Sequence, residues 1–208
     1  DDQDKLDAEN VDYLFFPDAA EIYPNGIDNH TTVANPSLSN MLCGLHRPGH
    51  FQGVCTVVNK LFNLVQPSVA VFGEKDFQQL AIIKRMVSDL CMPIDIVGVP
   101  TARAHDGLAL SSRNQYLNKI DRVKAPIIYQ TLRKTRDAIA AGSKQYETLC
   151  DTAKIDLASA GFNVDYFDIR NQNNLGLLGN NNDDTDIVIL TAATLDKTRL
   201  LDNIKINA

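Results

Sequence analysis

Several features are missing from this chain of 208 residues, and each absence excludes a class of protein. No apolar run approaches the roughly 20 residues that a membrane-spanning helix needs. The net charge of −6 argues against a nucleic-acid-binding protein, which normally shows a basic face. The four cysteines include no CxxC pair, which argues against a zinc site or a disulfide framework. We therefore expect a cytoplasmic protein with free thiols and with neither nucleic-acid nor membrane partners.

The beginning of the chain lacks both an initiator Met and a signal peptide. It opens with Asp1-Asp2-Gln3-Asp4, and Lys5–Ala8 is typical of the end of a helix. We expect the chain to be a piece of a longer protein. Its composition, 44% hydrophobic and 22% charged, is nevertheless that of a globular protein with a core.

The most informative stretch begins with an apolar run, Val69–Phe72, which predicts a strand buried on both faces. The run ends at Gly73 and is followed by the ionic triplet Glu74–Asp76. Apolar residues then recur at helical spacing from Leu80 onward, and Ile94–Val99 predicts the next strand. Ionic side chains thus lie at the carboxyl end of a strand, where open α/β sheets bind their ligands.

A second polar segment, Leu110-Ser111-Ser112-Arg113, follows a short distance after that next strand. Its hydroxyls and guanidinium are suited to phosphate oxygens. Taken alone, the ionic triplet is an ordinary strand-end turn, and the serine pair is more often a helix cap. Taken together, the two segments favour a nucleotide or phosphate site.

The rest of the chain predicts further helices and strands. The predicted strands are Val11–Phe16, Val164–Ile169, Ile187–Ala192 and Thr198–Asp202; the predicted helices are Gly53–Val65, Ile120–Ala141 and Gln145–Ala160. Val11–Phe16 is expected to join a parallel sheet, Pro126 to be tolerated near a helix start, and Asn171–Thr185 to be a mobile loop. Leu45–Phe51 is interpreted as a loop with structural histidines, the alternative being that it supplies a cation to an anionic ligand.

Six motifs in order carry a family resemblance over nearly the whole chain. They are EIYPNG (Glu21–Gly26), RPGHF (Arg47–Phe51), GVCTVVNKLFNLVQP (Gly53–Pro67), FGEKDFQQL (Phe72–Leu80), DGLALSSRN (Asp106–Asn114) and TRLLDN (Thr198–Asn203). Together they resemble pantothenate synthetase, also called pantoate–β-alanine ligase. The resemblance implies an α/β fold: a Rossmann-like nucleotidyltransferase domain, incomplete at its N-terminus, over residues 1–108 and a small α+β C-terminal lid domain over residues 109–208.

The resemblance also implies a reaction and its residues. Pantoate attacks the α-phosphate of ATP to give pantoyl adenylate, and β-alanine then displaces AMP. The implied ATP-binding residues are Gly73, Glu74, Lys75, Asp76, Ala102, Leu110, Ser111, Ser112 and Arg113. Lys75 and the Ser111–Arg113 segment would be catalytic, and Gln79 would bind pantoate. Mg²⁺ would bridge the phosphates without a predicted protein metal site, and the family is typically a homodimer.

The sequence departs from the family pattern at its front. The family's early PTMGALHxGH and VNPxQF segments are absent, and none of the four histidines lies in such a context. We therefore expect a fragment or an incompletely sequenced protein, inactive as a synthetase if a fragment, with an exposed sheet edge. The alternatives are another nucleotidyltransferase, such as a cytidylyltransferase, or an inactive nucleotide-binding or dimerisation remnant.

Overall fold

The computed structural model describes residues 2–178 and 186–206. Within them the helices are α1 (Asp2–Ala8), α2 (Ala19–Ile22), α3 (Pro36–Ser39), α4 (Cys43–His46), α5 (His50–Val65), α6 (Phe77–Asp89), α7 (Lys119–Lys124), α8 (Ile127–Ala140) and α9 (Tyr146–Ser159). The strands are β1 (Val69–Gly73), β2 (Asp95–Val99), β3 (Phe162–Asn171), β4 (Ile187–Leu195) and β5 (Thr198–Ile206). None of these helices is long and apolar enough to cross a membrane.

Strands β1 and β2 form a two-stranded parallel sheet, connected by α6. Their register runs from Val69 opposite Asp95 to Gly73 opposite Val99. The two strands therefore end side by side. The segments that follow Gly73 and Val99 begin at the same edge of the sheet, as the sequence predicts.

The other sheet is antiparallel and has the order β3-β4-β5. A two-residue turn joins β4 to β5, since Leu195 pairs with Thr198. Asp196 in this turn has a φ of 51°, a conformation that tight hairpins require and that Asp tolerates. All three strands are longer than the sequence predicts, because pairing with a neighbour extends each strand past its apolar run.

Strand β4 is buried along almost its whole length because helices pack on both faces of its sheet. Ile187 and Ile189 join a core cluster with α8 and α9. Val188 and Leu190 point the other way and join a second cluster with α5 and α6. The antiparallel sheet thus lies between two layers of helix and contributes to both cores.

The predicted strand Val11–Phe16 is wrong. These residues belong to no helix or strand, and Tyr13 and Phe16 are 92% and 79% exposed. A strand needs a neighbour that accepts and donates its backbone hydrogen bonds. No part of the described chain pairs with this segment, so its apolar composition alone does not make it a strand.

The prediction that β1 is buried on both faces is also wrong. Ala70 and Phe72 pack against the cluster of α5 and α6, whereas Val69 and Val71 are 50% and 60% exposed. No described element covers the face that these two valines share. An apolar run therefore predicted the strand correctly but not the burial of both its faces.

The helix predicted over Ile120–Ala141 is in fact two helices, α7 and α8, which meet at Pro126. Proline has no N–H to donate, and its ring clashes with the carbonyl one turn earlier, so it begins α8 rather than continuing α7. The next predicted helix is confirmed as α9. Gly161 follows it with a φ of 96°, the left-handed conformation of a C-terminal glycine.

The loop predicted over Leu45–Phe51 is shorter than expected, because α4 ends at His46 and α5 begins at His50. The loop predicted over Asn171–Thr185 is only partly described. Its first part forms a turn that buries Leu175 completely. Residues 179–185 lie outside the described part of the chain.

Candidate nucleotide-binding site

The first predicted site segment begins where β1 ends. Glu74–Asp76 make one turn of 3₁₀-helix, and α6 starts directly after it. Gly73 has an ordinary φ of −71°, and a Cβ built there would meet no atom within 4 Å. Neither backbone strain nor close packing requires a glycine at this position. Its bare backbone leaves room for a ligand to approach the strand end.

Strand β5 holds this turn through side-chain bonds. The Asn203 amide donates to the carbonyl oxygens of Glu74 and Lys75, both at 2.9 Å. Beside it, the Lys205 ammonium lies 2.7 Å from Oε1 of Glu74. Asn203 is buried, so its two bonds are shielded from water. The backbone that carries Lys75 is therefore fixed by the antiparallel sheet as well as by β1.

The second predicted segment follows β2. The Leu110 N–H donates to the carbonyl of Ala102 at 2.8 Å, which closes a loop and brings these two predicted residues side by side. Both are exposed. Gly107 in this loop has a φ of 91°, and a Cβ there would lie 2.6 Å from the Tyr129 ring. The turn thus requires glycine for its conformation and for space.

Ser111 caps the 3₁₀-helix that begins at Ser112, since its hydroxyl accepts a hydrogen bond from the Arg113 N–H at 3.2 Å. The structural interpretation of this serine is therefore correct. It does not exclude a ligand, because a hydroxyl can also donate its proton. Ser112 and Arg113 are exposed at the start of the same 3₁₀-helix.

Lys75, Ser111 and Arg113 line one small cavity, although their segments are far apart in the chain. The ammonium of Lys75 and the guanidinium of Arg113 form no ion pair with any described residue. Two cations without a carboxylate partner favour a negatively charged ligand. The cavity is narrow, with a volume of about 10 Å³ here.

The cleft continues on the other side of Lys75, with a volume of about 30 Å³. Asp76 and Gln79 line this part. Gln79 forms no side-chain hydrogen bond with the described chain and remains available for a ligand. Its neighbour Gln78 is not available for a ligand, because its amide is buried and bonded to the backbone of Leu38, Met41 and Cys43. The glutamine pair therefore divides into a structural member and one that faces the cleft.

Sequence analysis missed several residues that lie in the cleft. Arg47 and His50 line it together with Tyr166 of β3, and Arg199 lines the Ser111 side. The Arg47–His50 segment was assigned a structural role, and only its charge could have signalled otherwise. Arg199 had no signal beyond its place in the TRLLDN motif, because its position in the site depends on how β5 packs against the turn after β1.

His50 is held in its neutral form. Its Nε2 accepts a hydrogen bond from Nη1 of Arg47 at 2.9 Å, which leaves no lone pair there for a proton. Burial lowers the pKa of His50, and the nearby charges of Arg47, Arg113 and Arg199 lower it further, against the opposing effect of Asp76. The positive charge of this part of the cleft therefore comes from arginine and lysine.

No cluster of three or more His, Cys, Asp or Glu suited to a metal ion occurs in residues 2–178 and 186–206. A larger cavity of about 590 Å³ lies beyond Glu74. Of its three lining cations, Arg85 and Lys205 are paired with Asp89 and Glu74, and Lys84 has no ion pair among the described residues. The narrow cleft brings together two such unpaired cations, Lys75 and Arg113, beside a serine hydroxyl, and is therefore favoured as the site, although the other cavity is larger.

A parallel strand pair with a crossover helix, a cationic turn at its carboxyl end and a separate antiparallel sheet define an α/β protein with a nucleotidyltransferase-like fold. The family model of pantoate-beta-alanine ligase matches residues 1–205. The chain belongs to this family of ligases, which confirms the resemblance stated from its motifs.

Named relatives agree. The chain is 54% identical to a pantothenate synthetase of Pseudomonas savastanoi pv. phaseolicola, over 98% of this chain and 71% of that protein. It is 53% identical to one of Ectopseudomonas mendocina, over 98% of this chain and 70% of that protein.

Solved structures show the same fold. The crystal structure of pantothenate synthetase from Thermus thermophilus superposes with a TM-score of 0.90 at 40% identity, over 100% of this chain and 74% of that one. A pantoate-beta-alanine ligase from Francisella tularensis, complexed with beta-gamma ATP and beta-alanine, matches with a TM-score of 0.74 at 33% identity, over 98% and 68% of the two chains.

Proposed function

We propose that the cleft binds ATP and serves the condensation of pantoate with β-alanine through a pantoyl adenylate. The observation that carries this proposal is the convergence of Lys75, Ser111 and Arg113 on one cavity in which neither cation has a carboxylate partner among the described residues. Adenylate formation builds negative charge on the α-phosphate and on the leaving pyrophosphate, and fixed cations stabilise that charge.

The remaining residues complete the proposed roles. Gly73 and Glu74 present the open backbone of the strand end, and Asp76 is placed to accept hydrogen bonds from ribose hydroxyls. Gln79 faces the cleft with a free amide, which suits the carboxylate and hydroxyl groups of pantoate. Ala102 and Leu110 are exposed and side by side; their mutual hydrogen bond uses the Leu110 N–H and the Ala102 carbonyl, which leaves the Ala102 N–H and the Leu110 carbonyl for the adenine.

No side-chain nucleophile is needed, because the carboxylate of pantoate attacks the phosphorus itself. Positioning and electrostatic stabilisation then account for the rate, and exclusion of water protects the acyl adenylate. Mg²⁺ would enter with the nucleotide and offset the charge of its phosphates. A cavity of about 10 Å³ cannot hold a triphosphate, so the cleft must widen when ATP binds.

Substitution of Lys75 in an otherwise complete enzyme tests this function. We expect Lys75→Ala to fold normally, because its ammonium pairs with no described residue. Loss of one such donor should raise the barrier by about 2.7–4 kcal/mol, which lowers pantoate-dependent pyrophosphate release by about 10²–10³. ATP binding is measured in parallel by calorimetry. Lys84→Ala, an exposed lysine on the next helix, is the matched control.

The outcomes separate the candidate functions. Pyrophosphate release that depends on pantoate and on Lys75 supports the ligase. ATP binding without turnover identifies a nucleotide-binding remnant, and release driven by another acceptor identifies a different nucleotidyltransferase. Unchanged release by Lys75→Ala would contradict the assignment of Lys75.

We also propose the division into residues 1–108 and 109–208, a homodimer and a cytoplasmic location. The core cluster of α8 and α9 draws its members from Leu108 onward, which favours the division. Limited proteolysis near Gly107 and light scattering test the first two proposals. The four free thiols favour a reducing compartment.

A further inference from the structure

The guanidinium of Arg199 on β5 has one nitrogen without a partner. Its Nε lies 2.7 Å from Oδ2 of Asp165, and its Nη2 lies 3.6 Å from the sulfur of Cys43. Its Nη1 is buried and forms no hydrogen bond in the described chain. A buried donor without an acceptor is costly and calls for an explanation.

The surroundings of Arg199 indicate what could supply the acceptor. Arg199 lines the same small cavity as Lys75, Ser111 and Arg113. Asn114 also lines this cavity, and its Oδ1 is likewise buried and without a hydrogen-bond partner in the described chain. The cavity volume of about 10 Å³ suits one small group, such as a single oxygen or a water molecule.

We propose that Arg199 is a third cation of the nucleotide site and donates Nη1 to an oxygen of the phosphate chain. This inference rests on the proposed function and adds a binding residue to it. Asp165 fixes the guanidinium through Nε, so Nη1 is oriented before the ligand arrives. The phosphate chain then contacts cations from the turn after β1, the segment after β2 and strand β5.

The side chains around Arg199 favour a phosphate oxygen over the carboxylate of β-alanine. Ser111 and Arg113 offer it a hydroxyl and a fork of N–H donors, a combination suited to phosphate. The pKa of Arg199 fits either anion and does not distinguish them. Burial lowers it, but hydrogen bonds to Cys43 and Asp165 outweigh burial and keep it raised, so the group stays charged.

Pyrophosphate binding to the 208-residue chain tests the proposal by calorimetry. We expect Arg199→Met to weaken pyrophosphate binding about ten- to a hundred-fold, the effect of losing one charge-assisted hydrogen bond. Arg199→Lys should recover little of it, because one ammonium cannot hold Asp165 and the phosphate in the same geometry. Arg85→Met, an exposed helix arginine paired with Asp89, is the control and should bind as the unsubstituted chain does.

The alternatives give different results. If both Arg199 variants bind pyrophosphate as tightly as the unsubstituted chain does, a water molecule satisfies Nη1 and the inference is overturned. If Lys75→Met still weakens pyrophosphate binding in that case, the proposed function stands. Weakened β-alanine binding with unchanged pyrophosphate binding also overturns it. No pyrophosphate or ATP binding by the unsubstituted chain overturns both proposals. Should Arg199→Met fail to unfold cooperatively on heating, Arg199→Lys alone decides.

Discussion

His50 shows how one residue can report the charge of the whole cleft. It begins α5, contacts Arg47, and lies within the fields of Arg113 and Arg199 as well as of Asp76. The arginines oppose its protonation, and burial does so more strongly. The pKa of His50 therefore responds to how close these arginines lie to its ring before any ligand binds.

The lowered pKa of His50 predicts a pH dependence of stability. Between the folded pKa and the ordinary value of 6.5, the unfolded chain binds more protons than the folded one. The free energy of unfolding should therefore fall as the pH drops below 6.5, and level off below the folded pKa. Urea unfolding from pH 7.5 to 5 compares the unsubstituted chain with His50→Gln, which should lose this part of the slope.

The substitution His105→Gln, at an exposed histidine, controls for a general effect of removing an imidazole. Identical slopes for the unsubstituted chain and His50→Gln would show that folding does not lower the pKa of His50. An NMR titration of the His50 ring protons gives the folded pKa directly.

At the residue scale, the sequence could predict what is local. Lys75 and Arg113 could be named because the polar runs that contain them follow predicted strands. Gln79 was singled out over Gln78 only by the family resemblance, since the chemistry of the two is the same and their roles depend on which face of α6 meets the backbone of α3 and α4. The role of Arg199 could not be predicted for a similar reason, because it depends on three segments that meet only in the folded chain.

At the element scale, β5 is tied to the nucleotide turn. Asn203 bonds two successive carbonyls of that turn, and Lys205 bonds the Glu74 side chain. A strand of one sheet thus sets the backbone at the end of a strand in the other. The side-chain amide of Asn203 donates only to these two carbonyls, which makes Asn203 a positioning residue for Lys75, although it also lines the cleft.

This contact predicts a positioning effect. Asn203→Ala should leave two partly buried carbonyls without their donor and destabilise the fold by about 1–3 kcal/mol. It should also lower kcat for pyrophosphate release more than it raises the KM for ATP, because Lys75 would be misplaced by a small distance. Thermal unfolding and steady-state kinetics measure both effects.

Two comparisons separate positioning from simple destabilisation. Asn63→Ala on α5, where the amide bonds within an exposed helix turn, should change neither quantity. Asn203→Gln keeps the amide and should recover stability in part. A loss of stability in Asn203→Ala with unchanged kcat would reduce Asn203 to a structural role.

The elements themselves were predictable to different degrees. Helices α5 and α6 carry strong periodicity of their own, whereas α9 is only weakly periodic and is bounded by its C-terminal glycine; all three appear where predicted. Val11–Phe16 has a strand-like composition, but a strand requires a partner, and composition does not supply one. Pro126 was expected to be tolerated within one helix, but it separates two. A continuous apolar pattern does not prevent this break, because proline lacks the N–H that would continue the helix.

At the scale of the whole molecule, the loop after β2 and the end of β5 are joined by a buried ion pair. Arg103 donates to both carboxylate oxygens of Asp202, at 2.7 and 2.9 Å. Its guanidinium also lies 3.7 Å from the centre of the Tyr129 ring on α8. Side-chain exposures of 18% for Arg103 and 0% for Asp202 show that the pair is largely shielded from water.

This pair links the loop after β2 to β5. Burial raises the pKa of Asp202 and the bonds to Arg103 oppose that rise, so removal of Arg103 leaves a buried carboxyl group without its main partner. Arg103→Met should therefore cost about 3–5 kcal/mol of stability, measured by urea unfolding at neutral pH. Lys134→Met removes an exposed ion pair with Asp156 and should cost about 1 kcal/mol or less.

The double substitution Arg103→Met with Asp202→Asn distinguishes two causes of the lost stability: the missing contacts of Arg103, and the buried Asp202 carboxylate left without a partner. If the buried carboxylate causes the cost, the double variant should be more stable than Arg103→Met alone, because no uncompensated charge remains. If the cation–aromatic contact with Tyr129 dominates instead, the double variant should be no more stable than the single one. In either case a single unfolding transition is expected, because β4 belongs to both cores and neither can lose it alone.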